Sequence, residues 1–381
     1  MKLQKCMRYN NPRVWHRLPS VALRFLSPNQ PRQQRCFTSQ SQSSPTASRQ
    51  YRPLETLDNV DISHFRANYF APERPIILPR RSFREFPAFE RWFQPDPTDS
   101  NVSQLNTTYL GQHGADAFVP LELTQSSSDG TVNTGVDGLT FRQFHAPLSL
   151  FLDWISTAET LETQSTRLYL AQCQLLDLPQ VLRDDFPTPE LVAQAGKGDV
   201  YDTNVWIGYP PTYTPLHRDP NPNLFVQLAG QKVVRLLSPE DGQKVFGAVR
   251  RQMGMSGGRE AAAIRGEEMM QGQERTLLEQ AVWDDATVVS GLNGYEARLE
   301  AGDGMFIPRG WWHSIKGVGT GVTASVSSLI SSVHAHAYLI TGQLVVPLIK
   351  STITEPGDKY VGDMVASLGS NLHLYRTEPN T

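Results

Sequence analysis

Cysteine is scarce in this chain. Three residues in 381, Cys6, Cys36 and Cys173, are too few and too widely spaced for a disulfide framework or a zinc-binding pattern. That points to a reducing compartment, with Cys173 read as a small buried apolar side chain. No run of about 18 apolar residues occurs, so no membrane span is expected. Acidic residues are absent from the first 54 positions, where Lys2, Lys5, Arg8, Arg13, Arg17, Arg24, Arg32, Arg35, Arg49 and Arg52 precede Glu55, the first acid. Ten cations without an anion, followed by Ser and Gln runs after Phe37, is the composition of a mitochondrial transit peptide over residues 1–50. Arg35-Cys36-Phe37 resembles a matrix-processing site. The alternative is a basic tail for nucleic acid or membrane, in a cytoplasmic or nuclear protein. Taking those ten from the 35 basic residues leaves 25 against 38 acidic ones, a net of about −13. Such a body is a poor partner for phosphate backbones, so nucleic acid is not the expected substrate.

What the chain does have is concentrated around residues 201–237. His217 and Asp219 lie two apart in an extended context, so both side chains leave one face of a strand. A third ligand is expected downstream, and His313, in Ala-Gly-Asp-Gly-Met-Phe-Ile-Pro-Arg-Gly-Trp-Trp-His, is the best candidate. Two histidines and a carboxylate on one face of a metal is the pattern of non-haem Fe(II) oxygenases. Lys232 follows an Ala229-Gly230 turn, on what should be the neighbouring strand, Gln231–Leu237. With iron, one carboxylate from Asp219 and a dianionic 2-oxo acid, the site sums to minus one, and a lysine brings it to neutral.

With these motifs the sequence resembles the JmjC, cupin-like Fe(II)/2-oxoglutarate-dependent oxygenases, particularly the small hydroxylases that include the asparaginyl hydroxylase of hypoxia-inducible factor. The likeness runs from about Leu168 to Ile330 and is strongest over Thr203–Ser238 and Ala301–His313. It implies a mainly β fold with flanking helices, a double-stranded β-helix or jelly-roll barrel. His217, Asp219 and His313 would hold Fe(II), and Thr214, Lys232 and Tyr169 the distal carboxylate of 2-oxoglutarate. Asn223 matches a position near the co-substrate, and Ser327 stands where that hydroxylase has an asparagine. Thr214 is three residues before His217, which on a regular strand would turn the two to opposite faces; a bulge at Pro215 would restore them to one face.

The implied organisation is a presequence over residues 1–50, flanking helices and edge strands over 51–160, and the barrel over 161–330 with a helical insertion at 250–295. A helical segment follows over 331–381, where related hydroxylases dimerise. Leu139–Ile155 is expected to be a helix, and Trp311 and Trp312 to wall the approach to His313. His64 and His113 read as structural residues, and the insertion as either a lid or a tolerated surface loop. The resemblance implies hydroxylation of a protein side chain with dioxygen, while 2-oxoglutarate becomes succinate. N-methyl-lysine demethylation, small-molecule or tRNA-base oxygenation, and a non-catalytic cupin binding protein are the alternatives.

Overall fold

A computed structural model of the chain describes residues 51–83, 85–126, 139–158, 165–196, 200–262, 267–284 and 292–330. The expected presequence and the expected C-terminal helical segment lie outside these residues, as does part of the 250–295 insertion. Fifteen strands occur among the described residues: β1 (Tyr51–Pro53), β2 (Ile76–Leu78), β3 (Phe93–Pro95), β4 (Ser103–Leu105), β5 (Phe118–Ser126), β6 (Leu139–Pro147), β7 (Thr166–Gln174), β8 (Val200–Gly208), β9 (Thr212–Arg218), β10 (Asn223–Ala229), β11 (Gln231–Leu237), β12 (Gly294–Glu300), β13 (Gly304–Ile307), β14 (Trp312–Val318) and β15 (Thr323–Ile330).

They build two principal sheets, one in the order β1-β12-β11-β14-β9 and the other β2-β13-β10-β15-β8-β7-β5-β6, with β3 and β4 as a separate pair. The principal sheets face each other as a jelly roll and do not fuse into one closed barrel. Period-two alternation decides which residues go between them. On β10, Phe225 joins Val234 and Leu236 of β11 and Leu299 of β12 in the core between the sheets. Its neighbours Leu224, Val226 and Leu228 face the other way, into a larger core with Val205, Ile207 and Val326.

Helices cover both outer faces. Ser238 caps the helix Pro239–Gln252, its hydroxyl accepting from the Asp241 amide, and Pro239 occupies the first turn. Glu240 and Asp241 near its start, with Arg250 and Arg251 near its end, complement the helix dipole. Its apolar face, Val245, Phe246 and Val249, packs with Leu216, Leu237 and Trp312 on the back of the smaller sheet. At about 1.5–3 kcal/mol for each fully buried large apolar side chain, that face anchors the helix. None of the helices among the described residues is long and apolar enough to cross a membrane.

Two expectations need correction. The β10–β11 turn is not a hairpin within one sheet: the strands belong to different sheets, and the chain crosses between them at Gly230. Gly230 has φ of 62°, and a Cβ there would lie 2.4 Å from the Val322 carbonyl oxygen, so only glycine fits the crossing. Leu139–Ile155 is not one helix. Its first nine residues form β6, paired along its whole length with β5, and the helix Leu148–Ala158 starts only after Pro147.

Candidate metal centre

The centre forms where β9 and β14 run side by side. Their register pairs His313 with His217 and Trp312 with Arg218, then shifts so that Ile315 faces Thr214. Two residues of β9, Pro215 and Leu216, therefore oppose the single Ser314, which is a bulge. This is the bulge that sequence parity required. Thr214 and His217 share the inner face, while Leu216 turns to the outer core beside Trp312.

Asp219 follows β9 directly. Its Oδ1 lies 3.9 Å from His217 Nε2 and its Oδ2 3.7 Å from His313 Nε2, and the imidazole centroids are 4.2 Å apart. One ligand atom from each of the three residues falls within 4.8 Å of the others, a group that could hold a metal ion. Each imidazole already has its Nδ1 engaged, His217 to the Pro215 carbonyl at 2.9 Å and His313 to the Trp311 carbonyl at 3.1 Å. With Nδ1–H donating to a carbonyl, Nε2 is the nitrogen that presents its lone pair to a metal. Burial, and then the neighbouring His217, push the His313 imidazole down to about 4, so it is neutral at physiological pH. Asn223, at the start of β10, donates from Nδ2 to Asp219 Oδ2 at 3.3 Å and steadies the carboxylate. Exposure is graded: the His217 and Asp219 side chains keep 19% and 24%, and His313 only 3%, so the site opens on the His217 side.

Deeper between the sheets sits Lys232, 2% exposed. Its ammonium donates to Ser325 Oγ at 2.7 Å and to the Tyr169 hydroxyl at 3.3 Å, and the Phe225 ring lies 5.6 Å from it. Among the described residues no carboxylate pairs with it, and burial pushes the amine down to about 7. Burial also raises the Tyr169 phenol well above its ordinary range, with Glu122 adding to the effect, so Tyr169 remains a donor. Gly208 makes room for that ring: a Cβ there would lie 2.2 Å from it. An unpaired buried cation framed by hydroxyl groups is the environment a small dianion would complete. The donor set and this cation together fit a divalent metal with an acidic co-substrate.

The structure thus brings His217, Asp219, His313 and Asn223 together, and Lys232 with Tyr169. Ser327 is buried on β15, between Phe225 and Asn204, two residues nearer the metal end than Ser325. Ser325, not Ser327, reaches the lysine. Sequence reasoning missed Ser325, since Thr-Ala-Ser-Val-Ser-Ser offers three serines and nothing local ranks their depth. It also missed Asp202 and Asn204, although the alternation of Val205 and Ile207 with Asn204 and Trp206 marks the inner face of β8. Trp312 does not wall the approach. It is adjacent to His313 on a strand, so it points to the opposite face and lies buried 5.3 Å from Phe246. Trp311 does lie on the inner side, beside Tyr295, and donates to the Glu73 carbonyl.

The profile of the cupin-like domain matches residues 62–329. Among curated proteins, the chain is 24% identical over 283 residues to lysine-specific demethylase JMJ30 of Arabidopsis thaliana, covering 74% of this chain and 56% of that one. It is 23% identical over 257 residues to lysine-specific demethylase 8 of Xenopus tropicalis, covering 67% and 48%. With the Jumonji C domain-containing protein 5 of Drosophila melanogaster it shares 21% over 265 residues, covering 69% and 56%. The chain spans about half the length of these relatives. The particular likeness to an asparaginyl hydroxylase is not what these relatives' names point to. Family membership implies Fe(II) and 2-oxoglutarate, and on the matched domain, the facing sheets and the His-Asp-His group, this chain belongs to the cupin-like domain family in its JmjC branch.

Proposed function

We propose that the chain is an Fe(II)/2-oxoglutarate-dependent oxygenase that oxidises a C–H bond of a protein side chain, with the N-methyl group of a lysine as its first target. The observation that carries this reading is the pairing of an intact His217, Asp219 and His313 group with the buried amine of Lys232, which no carboxylate among the described residues pairs with. The relatives' names favour demethylation over the direct hydroxylation that the sequence suggested. The two reactions share their first step, since an N-methyl group hydroxylated at carbon releases formaldehyde. Hydroxylation of an unmethylated side chain stays as the second reading, on the strength of the same metal group.

Bound at the three ligands, iron with 2-oxoglutarate supplies decarboxylation of the co-substrate coupled to insertion of one oxygen atom from dioxygen into the substrate. The chain's residues supply the rest. Pro215 and Trp311 carbonyls fix the imidazoles so that Nε2 faces the metal, and Asn223 orients Asp219. Lys232 would meet the distal carboxylate of 2-oxoglutarate, with Tyr169, Ser325 and Thr214 as hydroxyl partners. Once a dianion is seated there, the lysine is held protonated and the site is near neutrality. The acid-free, Arg-rich first 54 residues support action in the mitochondrial matrix.

The test is an incubation of the full chain with Fe(II), 2-oxoglutarate, air and methyl-lysine peptides. Succinate and formaldehyde should appear in equal amounts, with one methylene lost from the peptide. His313→Ala should lower both by at least about 100-fold, the upper range for disturbing even the outer support of a metal ligand. Succinate at the His313→Ala level, in protein shown to contain one metal ion, rules out the oxygenase reading. A peptide that gains one oxygen and yields no formaldehyde selects the hydroxylase.

A further inference from the structure

The bulge on β9 is held from outside the cleft. Carbonyls at a bulge leave the regular ladder and need partners elsewhere. The Pro215 carbonyl, on a residue with no N–H to satisfy, accepts from His217 Nδ1. The Thr214 carbonyl before it accepts from Ser314 Oγ at 2.8 Å. Ser314 is fully buried, and as the neighbour of His313 on a strand it turns to the opposite, outer face. There Trp283 Nε1 donates to the same oxygen at 2.9 Å. An indole N–H can only donate and a carbonyl can only accept, so the serine hydrogen is committed to Thr214.

Trp283 ends the helix Gly272–Trp283, within the 250–295 insertion. Leu278 and Val282 of this helix pack with Leu237 and Trp312 on the outer face of the smaller sheet, away from the cleft. Arg235, directly opposite Ser314 on β11, donates to the Val282 carbonyl at 2.7 Å. Its guanidinium lies 4.8 Å from the centre of the Trp283 ring, and Lys316 Nζ lies 4.9 Å from it. Two cations from adjacent strands thus grip one indole. A tolerated surface loop would have no need of this grip, and a lid would lie on the other face.

We infer that Ser314 and Trp283 are positioning residues: they brace the bulge that puts Thr214 and His217 on one face, and through it they set His217 against His313. The inference rests on the three-ligand metal site of the proposed function and on no choice of substrate. Without the serine hydroxyl, the Thr214 carbonyl and the Trp283 N–H both lose their partner. The peptide between Thr214 and Pro215 then turns to find a donor. Because proline fixes φ, that turn carries the Pro215 carbonyl off His217 Nδ1 and withdraws the support of the imidazole. The helix of the insertion acts on the metal from behind the sheet.

The experiment titrates Co(II), a visible stand-in for Fe(II), into the metal-free full chain and reads both affinity and absorption bands. Ser314→Ala should weaken Co(II) binding by about 10- to 100-fold, the range for losing an outer support of a ligand, and should shift the bands as His217 turns. Ser314→Thr, which keeps the hydroxyl, should recover the affinity to within about three-fold. Trp283→Phe, which keeps an aromatic ring between Arg235 and Lys316 and removes the N–H, should cost about three- to ten-fold. Val249→Ala partly empties the same outer core without touching the bulge; it should lower stability to urea and leave Co(II) affinity within about two-fold. Unchanged affinity and bands in Ser314→Ala, or an equal loss in Val249→Ala, overturns the brace. Should Ser314→Ala not fold, Trp283→Phe decides alone, and an unchanged affinity there overturns it. An unaltered chain that binds no Co(II) removes the metal site itself, and with it the proposed oxygenase.

Discussion

The cleft between the two sheets has polar ends with opposite deficits. Its deep end is rich in donors: the Lys232 amine, with the hydroxyls of Tyr169 and Ser325, and no carboxylate paired to the amine among the described residues. Its metal end is rich in lone pairs: one ligand atom each from His217, Asp219 and His313 lies within 4.8 Å of the others. Two deficits of opposite sign describe a cation held at one end and an acidic ligand at the other.

Replacing Lys232 by Met is the largest single way to break the contrast. It removes the deep end's charge while keeping length and apolar bulk. Truncating one side of a buried charge pair costs about 2–5 kcal/mol, so the KM for 2-oxoglutarate should rise by roughly 30-fold to 1000-fold or more. Stability without co-substrate should stay level or improve, because a buried ammonium lacking an anionic partner has been exchanged for a thioether. Steady-state kinetics and urea unfolding on the same preparation separate the two effects. An unchanged KM would remove Lys232 from the co-substrate site and leave the deep end as packing.

Gly208→Ala sharpens the same contrast less severely. The new methyl would lie 2.2 Å from the Tyr169 ring, so the ring must leave its place beside Lys232. The expected result is roughly a ten-fold rise in the same KM, the value of one hydrogen bond to a charged group, and a stability loss of about 1–3 kcal/mol from overpacking. Metal affinity should hold, because the triad is untouched. A change in metal affinity would show that the two ends of the cleft are not independent.

How much of this was readable in advance depends on whether the cue was local. The metal group was legible because His-x-Asp on a strand fixes a shared face, and the bulge at Pro215 because the three-residue step from Thr214 to His217 demands one. The sheet crossing at Gly230 was not, since a turn's local geometry is silent about which sheet the next strand joins. β6 was misread because Leu139–Ile155 is apolar throughout, and only the long pairing with β5 decides for a strand. Ser325 and Asn204 stayed hidden for a related reason. Depth in the cleft is set by stagger between strands far apart in sequence, so Lys232 meets a serine 93 residues away that looks like its neighbours.

The smallest expected effect is a pH dependence confined to the deep end. In the unfolded chain Lys232 titrates near 10.5; in the folded chain burial lowers it to about 7. Between these values the unfolded state binds more protons, so stability rises with pH through that window, and the full penalty of a buried cation applies below it. From pH 7 to pH 9 the gain attributable to Lys232 should be on the order of 1–2 kcal/mol, after relaxation and water penetration are allowed for. Saturating 2-oxoglutarate should abolish the rise, because a dianion beside the amine restores its protonation, and Lys232→Met should abolish it without ligand. Urea unfolding at both pH values, with and without 2-oxoglutarate, gives the double difference. A rise that survives in the Met variant belongs to another group, and one that survives saturation places the diacid elsewhere than beside this lysine.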